Sequence, residues 1–282
     1  MSILKSYNTK KTVHIISTLA LCSTALFSAH SYASTDTLRV CAAANELPYS
    51  NKSEQGFENG IAKVLAKKMN RELEFVWSDK AAIYLVTEML NKNKCDVVIG
   101  LDSDDSRIAT STPYYKSGYV FVYPEKSALN IKGWASPDLL TLNKFAIVPG
   151  SPSEAMLREI GKYEGTFNYL MSLINFKSRR NQYVRYQPDR MISEVASGKA
   201  DIAHVWAPEV ARYVKSSREP LTMVVSSATA KTSDGEGIVQ HFEQSIGVRR
   251  DDKNLLKEIN IALQQSDSEI KSILQEEGIP LL

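Results

Sequence analysis

Histidine and cysteine are scarce in this chain of 282 residues, which holds four of the first and three of the second. His14, His30 and Cys22 fall near the start, leaving His204 and His241, far apart in sequence, and Cys41 and Cys95. No Cys/His cluster has the spacing of a metal site. Neither a Gly-rich phosphate loop nor a Gly-x-Ser-x-Gly nucleophile turn is present. Repeats and low-complexity runs are missing too, and nothing gives the electrostatic footprint of a nucleic-acid binder. These absences point away from a cofactor, a metal and a nucleic-acid partner.

What is present begins with Lys5, Lys10 and Lys11, then an apolar stretch from Val13 to Ala29 and the small-x-small site Ser31-Tyr32-Ala33. This is the pattern of a secretory signal peptide over residues 1–33, with a mature chain starting at Ser34. The stretch is short for a membrane span and carries His14 and several Ser and Thr. Leu19-Ala20-Leu21-Cys22 resembles a lipidation box, but Leu21 is bulky where a small residue is required. No membrane insertion of the mature chain is expected. Processing leaves 31 basic side chains against 32 acidic ones, so the formal charge of +2 becomes −1. In an exported protein, Cys41 and Cys95 form either a disulfide or a pair of buried thiols.

The mature chain reads as two βα series. In the first, strands at Leu38–Ala42, Leu73–Trp77 and Asp96–Gly100 alternate with two helices, one carrying Ile61, Val64, Leu65 and Met69, the other turning Ile83, Val86 and Leu90 inward. In the second, a strand at Phe145–Val148 leads through Pro149-Gly150 to a helix capped by Ser151, with Glu154 closing a capping box. A strand at Tyr183–Tyr186, a helix with Met191, Ile192 and Val195, and a strand at Asp201–Trp206 follow. The tail holds an apolar Phe242–Val248 and two helices, the second capped by Ser266 with Glu269. Strand-helix alternation implies parallel pairing with right-handed crossovers. The expected fold is therefore α/β, a two-lobed clamshell in which each lobe is a mostly parallel sheet flanked by helices. Lobe 1 comprises residues 34–118 and 242–282, and lobe 2 residues 119–241.

In open α/β sheets the ligand site lies beyond the carboxyl ends of the strands. That rule gathers Asn45, Glu46, Tyr49, Asp102, Arg107, Gly150, Ser151 and Trp206 around one interlobe cleft. For several of these a plainer role is open. Ser151 either presents a helix N-terminus to an anion or simply caps its helix. Arg107 either meets a ligand or pairs with Asp104 or Asp105, and Trp206 either walls the cleft or packs on Pro208.

Six motifs in order carry a family resemblance: Leu47-Pro48-Tyr49, Gly56 to Ala62, Cys95 to Gly100, Pro113 to Gly118, Val148 to Ser151 and Gly198 to Ala203. With them the chain resembles type II periplasmic solute-binding proteins of the polar amino-acid group. The resemblance implies a periplasmic location and a small-molecule cleft. It breaks at the anchors: Arg107 matches the family's carboxylate-binding arginine, but Asp104 stands where a threonine is usual, and Trp206 stands where an acid meets the ligand ammonium. Burying an unpaired ammonium costs several kcal/mol, so a standard amino acid is a poor ligand. Dehydratases on the same scaffold use cleft acids such as Glu46, Glu58 or Asp102, here more simply read as solvated loop carboxylates. A transglycosylase needs a further domain. No enzyme activity is expected.

The chain is similar, more narrowly, to binding-protein-like accessory proteins associated with PQQ-dependent alcohol dehydrogenases of methanol oxidation. The shared features include Pro113 to Val122 and the ending Gly278-Ile279-Pro280-Leu281-Leu282. That resemblance implies a protein that interacts with, or helps mature, a PQQ-dependent methanol dehydrogenase. The alternative is the solute receptor of an ABC transporter. A candidate partner surface lies within residues 176–190, where Arg179, Arg180 and Arg185 are interleaved with Tyr183 and Tyr186; arginine and tyrosine often carry interface energy. The plainer reading is a solvated loop.

Overall fold

The computed structural model describes residues 36–173 and 186–282. The expected signal peptide, and Arg179, Arg180, Tyr183 and Arg185 of the expected partner surface, lie outside the described residues.

The first series opens with β1 (Thr37–Ala43), a tight pair β2 (Asn45–Glu46) and β3 (Ser50–Asn51), and α1 (Phe57–Lys68). Helix α1 buries Ile61, Ala62 and Leu65, the stripe its periodicity dictates. After β4 (Glu72–Ser78), a 3-10 turn at Ala82–Tyr84 runs into the single-turn α2 (Leu85–Glu88). The expected continuous helix is thus broken into short pieces. Val86 and Leu90 point inward as expected, whereas Ile83 is 50% exposed, because the 3-10 turn rotates it off the α-helical stripe. Next come β5 (Val97–Asp102), β6 (Ala109–Thr110) and the long β7 (Tyr115–Pro124).

The second series contains β8 (Phe145–Ala146), α3 (Pro152–Glu159), α4 (Tyr163–Leu173), α5 (Pro188–Ala196), β9 (Ile202–Trp206) and α6 (Ala207–Lys215). Strands β10 (Leu221–Val225), β11 (Thr229–Lys231) and β12 (Gly237–Val239) precede β13 (His241–Val248), which returns the chain to the first series. The C-terminal region is one helix, α7 (Lys253–Glu276), where two were expected. Ser266 caps nothing: it is fully buried mid-helix and donates its hydroxyl to the Ala262 carbonyl at 2.6 Å. The apolar stripe therefore continues unbroken through Ile259, Leu263, Ile270 and Leu274.

The main sheet runs in the order β4-β1-β5-β13-β7-β9-β8. Parallel pairs are those the βα series implies: β1 with β4, β1 with β5, and β8 with β9. The two crossing strands run antiparallel to their neighbours, which makes the sheet mixed. Tyr115–Gly118 of β7 pair with β13, while Tyr119–Val122 pair with β9. The core divides at the same crossing. Tyr114 and Tyr115 pack with α1 and α7, and Val120–Tyr123 pack with α5 and β9. The result is a two-lobed α/β clamshell. Helix α7 lies on α1, pinned by Lys68–Glu269 at 3.0 Å and Arg71–Glu258 at 2.8 Å.

Candidate functional site

Two adjoining cavities open where the carboxyl end of β5 meets the crossing strands. The smaller, of about 330 Å³, has Glu46, Tyr49, Glu58, Tyr119, Trp206 and Glu209 in its wall. The larger, of about 920 Å³, is bounded by the loop from Asp102 to Arg107, by Lys116 and Glu243, and by Ile83 and Val239 at its rim. Ala82, Gly100, Leu101, Asp102 and Phe242 line both.

Each functional side chain is placed by its element. Glu58 sits in the first turn of α1, whose start is organised by the Asn59 side-chain carbonyl accepting from the Gly56 N–H at 3.1 Å and from the Asn51 N–H at 3.2 Å. Glu58 lies over Gly100, which ends the buried part of β5 at φ +74°. A Cβ there would come within 1.9 Å of Glu58 Oε1, so both the backbone angle and the contact require glycine. Glu46 is buried and accepts from the Ala82 N–H at 2.8 Å. Burial, and then the Glu46 charge, hold the Glu58 carboxyl well above the ordinary carboxylate range. Asp102 accepts from Gln244 Nε2 at 2.7 Å across the β5–β13 pair. Trp206 ends β9 and precedes α6, and its ring lies 5.7 Å from Tyr119 and 5.8 Å from Phe242. Tyr49 and Tyr119 are pushed upward by burial and next by the charge of Glu209.

Of the eight residues placed in the cleft from sequence, Glu46, Tyr49, Asp102 and Trp206 stand in the wall of the smaller cavity, and Arg107 borders the larger. Asn45, Gly150 and Ser151 line neither. Asn45 is exposed on the β2–β3 pair. At the start of α3, Glu154 Oε2 accepts from the Gly150 N–H at 2.9 Å, and the Ser151 side chain makes no capping bond. The expected anion cradle is thus occupied by the helix's own carboxylate. Burial opposes ionisation of Glu154, but the Gly150 N–H and Arg158 outweigh it and hold its pKa down.

Arg107 is engaged as well. Its Nε donates to Asp105 Oδ1 at 2.9 Å and its Nη2 to Asp105 Oδ2 at 2.5 Å. The Arg107 bonds keep Asp105 below the usual carboxylate pKa. The ion-pair alternative for Arg107 is the one the structure holds, and for Trp206 it is the cleft wall. Cys41 and Cys95 are joined in a disulfide with Cα atoms 5.5 Å apart. Cys95 lies just before β5, off the register that sets Cys41 opposite Val98. Tyr186, the described residue of the expected partner surface, is 7% exposed and packs in the core of the second lobe, so its ring is unavailable to a partner.

Sequence reasoning passed over Tyr119, Phe242 and Glu209. Glu209 had a signal: it follows Trp206 by three residues, in the first turn of α6. The acid expected at Trp206 is displaced along the chain by most of one helical turn, yet it faces the same cavity. Sequence reasoning also passed over a buried Ser153–His204–Ser226 chain, with His204 Nδ1 2.8 Å from Ser153 Oγ and Nε2 2.7 Å from Ser226 Oγ. A serine and a histidine at that distance have the geometry of nucleophile and base. All three are sealed from solvent and line neither cavity, and Ser153 spends its proton on the His204 carbonyl at 2.7 Å.

A clamshell of two α/β lobes with a cavity at the crossing strands defines a binding-protein architecture. Residues 38–276 match the family model for bacterial extracellular solute-binding proteins, family 3, and the chain belongs to that family. Within it the chain is 48% identical over 246 residues to Protein MoxJ of Methylorubrum extorquens, covering 87% of this chain and 82% of that protein. It is 44% identical over 264 residues to Protein MoxJ of Paracoccus denitrificans, covering 94% of each. Its structure is similar to the crystal structure of MxaJ from Methlophaga aminisulfidivorans MPT, with a TM-score of 0.84, 69% identity, and coverage of 87% of this chain and 100% of that one. The chain is a periplasmic-binding-protein-like protein similar to MoxJ and MxaJ. Among the described residues, no helix is long and apolar enough to cross a membrane.

Proposed function

We propose that this protein is a non-catalytic accessory of methanol oxidation that works in the periplasm, where it interacts with or helps mature a PQQ-dependent methanol dehydrogenase. The observation that carries this reading is the 48% identity to MoxJ over 87% of the chain. The site supports it by what it has lost as an amino-acid receptor. The guanidinium that would hold a ligand carboxylate is closed on Asp105, and the α3 amide at Gly150 is closed on Glu154. A free amino acid finds neither anchor. Calorimetry on ligand-free protein is therefore expected to show no standard amino acid binding at micromolar affinity, about −8 kcal/mol or better; one that does so restores the receptor reading.

That second reading, the solute receptor of an ABC transporter, is favoured by the cavity at the crossing strands. Affinity capture from the periplasm of the source organism separates the two. A quinoprotein dehydrogenase in the eluate, identified by mass spectrometry and PQQ absorbance, supports the accessory. A permease complex in its place overturns it.

A further inference from the structure

Residues Gly278–Leu282 follow α7 and line neither cavity. The chain turns there: the Gly278 N–H donates to the Gln275 carbonyl at 3.0 Å and the Ile279 N–H to the Leu274 carbonyl at 3.1 Å. Ile279 is buried, and Leu281 half-buried, in the core that α1 and α7 share. Burial anchors these two side chains, but it does not account for the rest of the segment. The Pro280 carbonyl accepts from the Ser117 hydroxyl at 2.7 Å, and the Leu282 N–H donates to the Lys116 carbonyl at 3.0 Å. Leu282 itself is 51% exposed, so burial of its side chain contributes little to its place. It lies against Gly118, where an added Cβ would come within 2.6 Å of His241 Cδ2 and 3.3 Å of Leu282 Cδ1.

Lys116, Ser117 and Gly118 are the last β7 residues paired with β13 before β7 takes β9 as its partner at Tyr119. Ser117 stands opposite Phe242, and Gly118 opposite His241. A swing of one lobe against the other requires backbone torsions to change in this short stretch. A segment bonded both to its main chain and to its Ser117 side chain restrains them. Just before the turn, Lys215 of α6 donates to the Glu276 carbonyl. The same run of residues thus meets the first-lobe core, the crossing strand and α6. We propose that Gly278–Leu282 is a strap across the hinge, a third and noncovalent link beside β7 and β13, which holds the lobes at one angle and lets them swing when it lifts. Two hydrogen bonds and an exposed leucine secure its end, so lifting is a local event rather than an unfolding of the lobe. The inference depends neither on an occupant of the cleft nor on the dehydrogenase partner.

Hydrogen exchange read by mass spectrometry, together with small-angle X-ray scattering, tests it on the unaltered protein, on Ser117→Ala and on a variant lacking Leu281 and Leu282. The first variant removes the donor to Pro280, and the second removes the donor to Lys116. In either, amides of residues 115–119 and 240–243 are expected to exchange about fivefold faster, the effect of losing one hydrogen bond. Those of β1 and α5 are expected to keep their rates, and the radius of gyration is expected to rise. Faster exchange throughout the chain marks a general loss of stability and overturns the proposal. Unchanged exchange at the crossing strands overturns it too, as does an unchanged radius of gyration, because the lobes then keep their angle without the strap. If the shortened chain fails to fold, Ser117→Ala decides alone.

Discussion

His204 is fully buried between Phe121 and Trp134, with both ring nitrogens on neutral hydroxyls. Because Ser153 gives its proton to a carbonyl, Nδ1 must be the donor to Ser153 Oγ, and Ser226 donates to Nε2. A neutral ring satisfies every bond, and burial pushes its pKa from 6.5 down to about 3. A base with a lowered folded pKa takes up a proton on unfolding between those two values. Its contribution is complete above about pH 6.5 and drains away as pH falls toward about 3, reaching several kcal/mol. Denaturant unfolding at pH 7, 5 and 4 is expected to show the unaltered protein losing stability more steeply than His204→Asn, while equal slopes refute the assignment. The cleft residues were legible in sequence only where strand ends specify them. Glu46, Tyr49, Asp102 and Trp206 follow from the rule about carboxyl ends. Glu209 depends on how far a helix turns after a strand, and the pairing of Arg107 with Asp105 on side-chain torsions that no spacing rule encodes.

Helix α7 shows why elements are read better than their boundaries. Its apolar period was visible throughout, but Ser266 and Glu269 have the spacing of a capping box and suggested a break. The hydroxyl bonds back to Ala262, and packing on α1 makes the longer helix the better burial. Ser266→Ala is therefore expected to change stability by less than about 0.5 kcal/mol, where loss of a true N-cap costs about 1 kcal/mol. Ser266→Pro, by removing an intrahelical bond, is expected to cost about 3 kcal/mol. Urea denaturation of both variants checks the pair. The opposite failure occurred between Ser78 and Lys92, where helical spacing was read and the chain adopts two 3-10 turns around a single α-turn.

At the scale of the whole molecule, we propose lobe boundaries at Gly118/Tyr119 and His241/Phe242, supported by the change of partners along β7. Away from the cavity, α6 packs on both sides of the crossing, with Val210 in one core and Ala211 in the other. Its Arg212 holds Glu277 through two bonds of 2.7 and 2.6 Å, and also donates to the Gln55 carbonyl at 2.9 Å. Lys215 adds a bond to the Glu276 carbonyl at 2.7 Å. Glu277→Ala leaves a half-buried guanidinium without its carboxylate and is expected to cost about 2 kcal/mol. It is also expected to enlarge the radius of gyration in X-ray scattering. An unchanged radius rejects the idea that this pair ties the lobes.

Helix α6 carries Glu209 in its first turn and Arg212 three residues on. One carboxylate faces the cavity and one guanidinium grips the end of α7, on a single rigid rod. A load applied at either end of that rod is felt at the other. Thermodynamics makes the bargain mutual: by whatever factor an occupied cavity tightens the grip on Glu277, the same factor tightens the hold on the occupant.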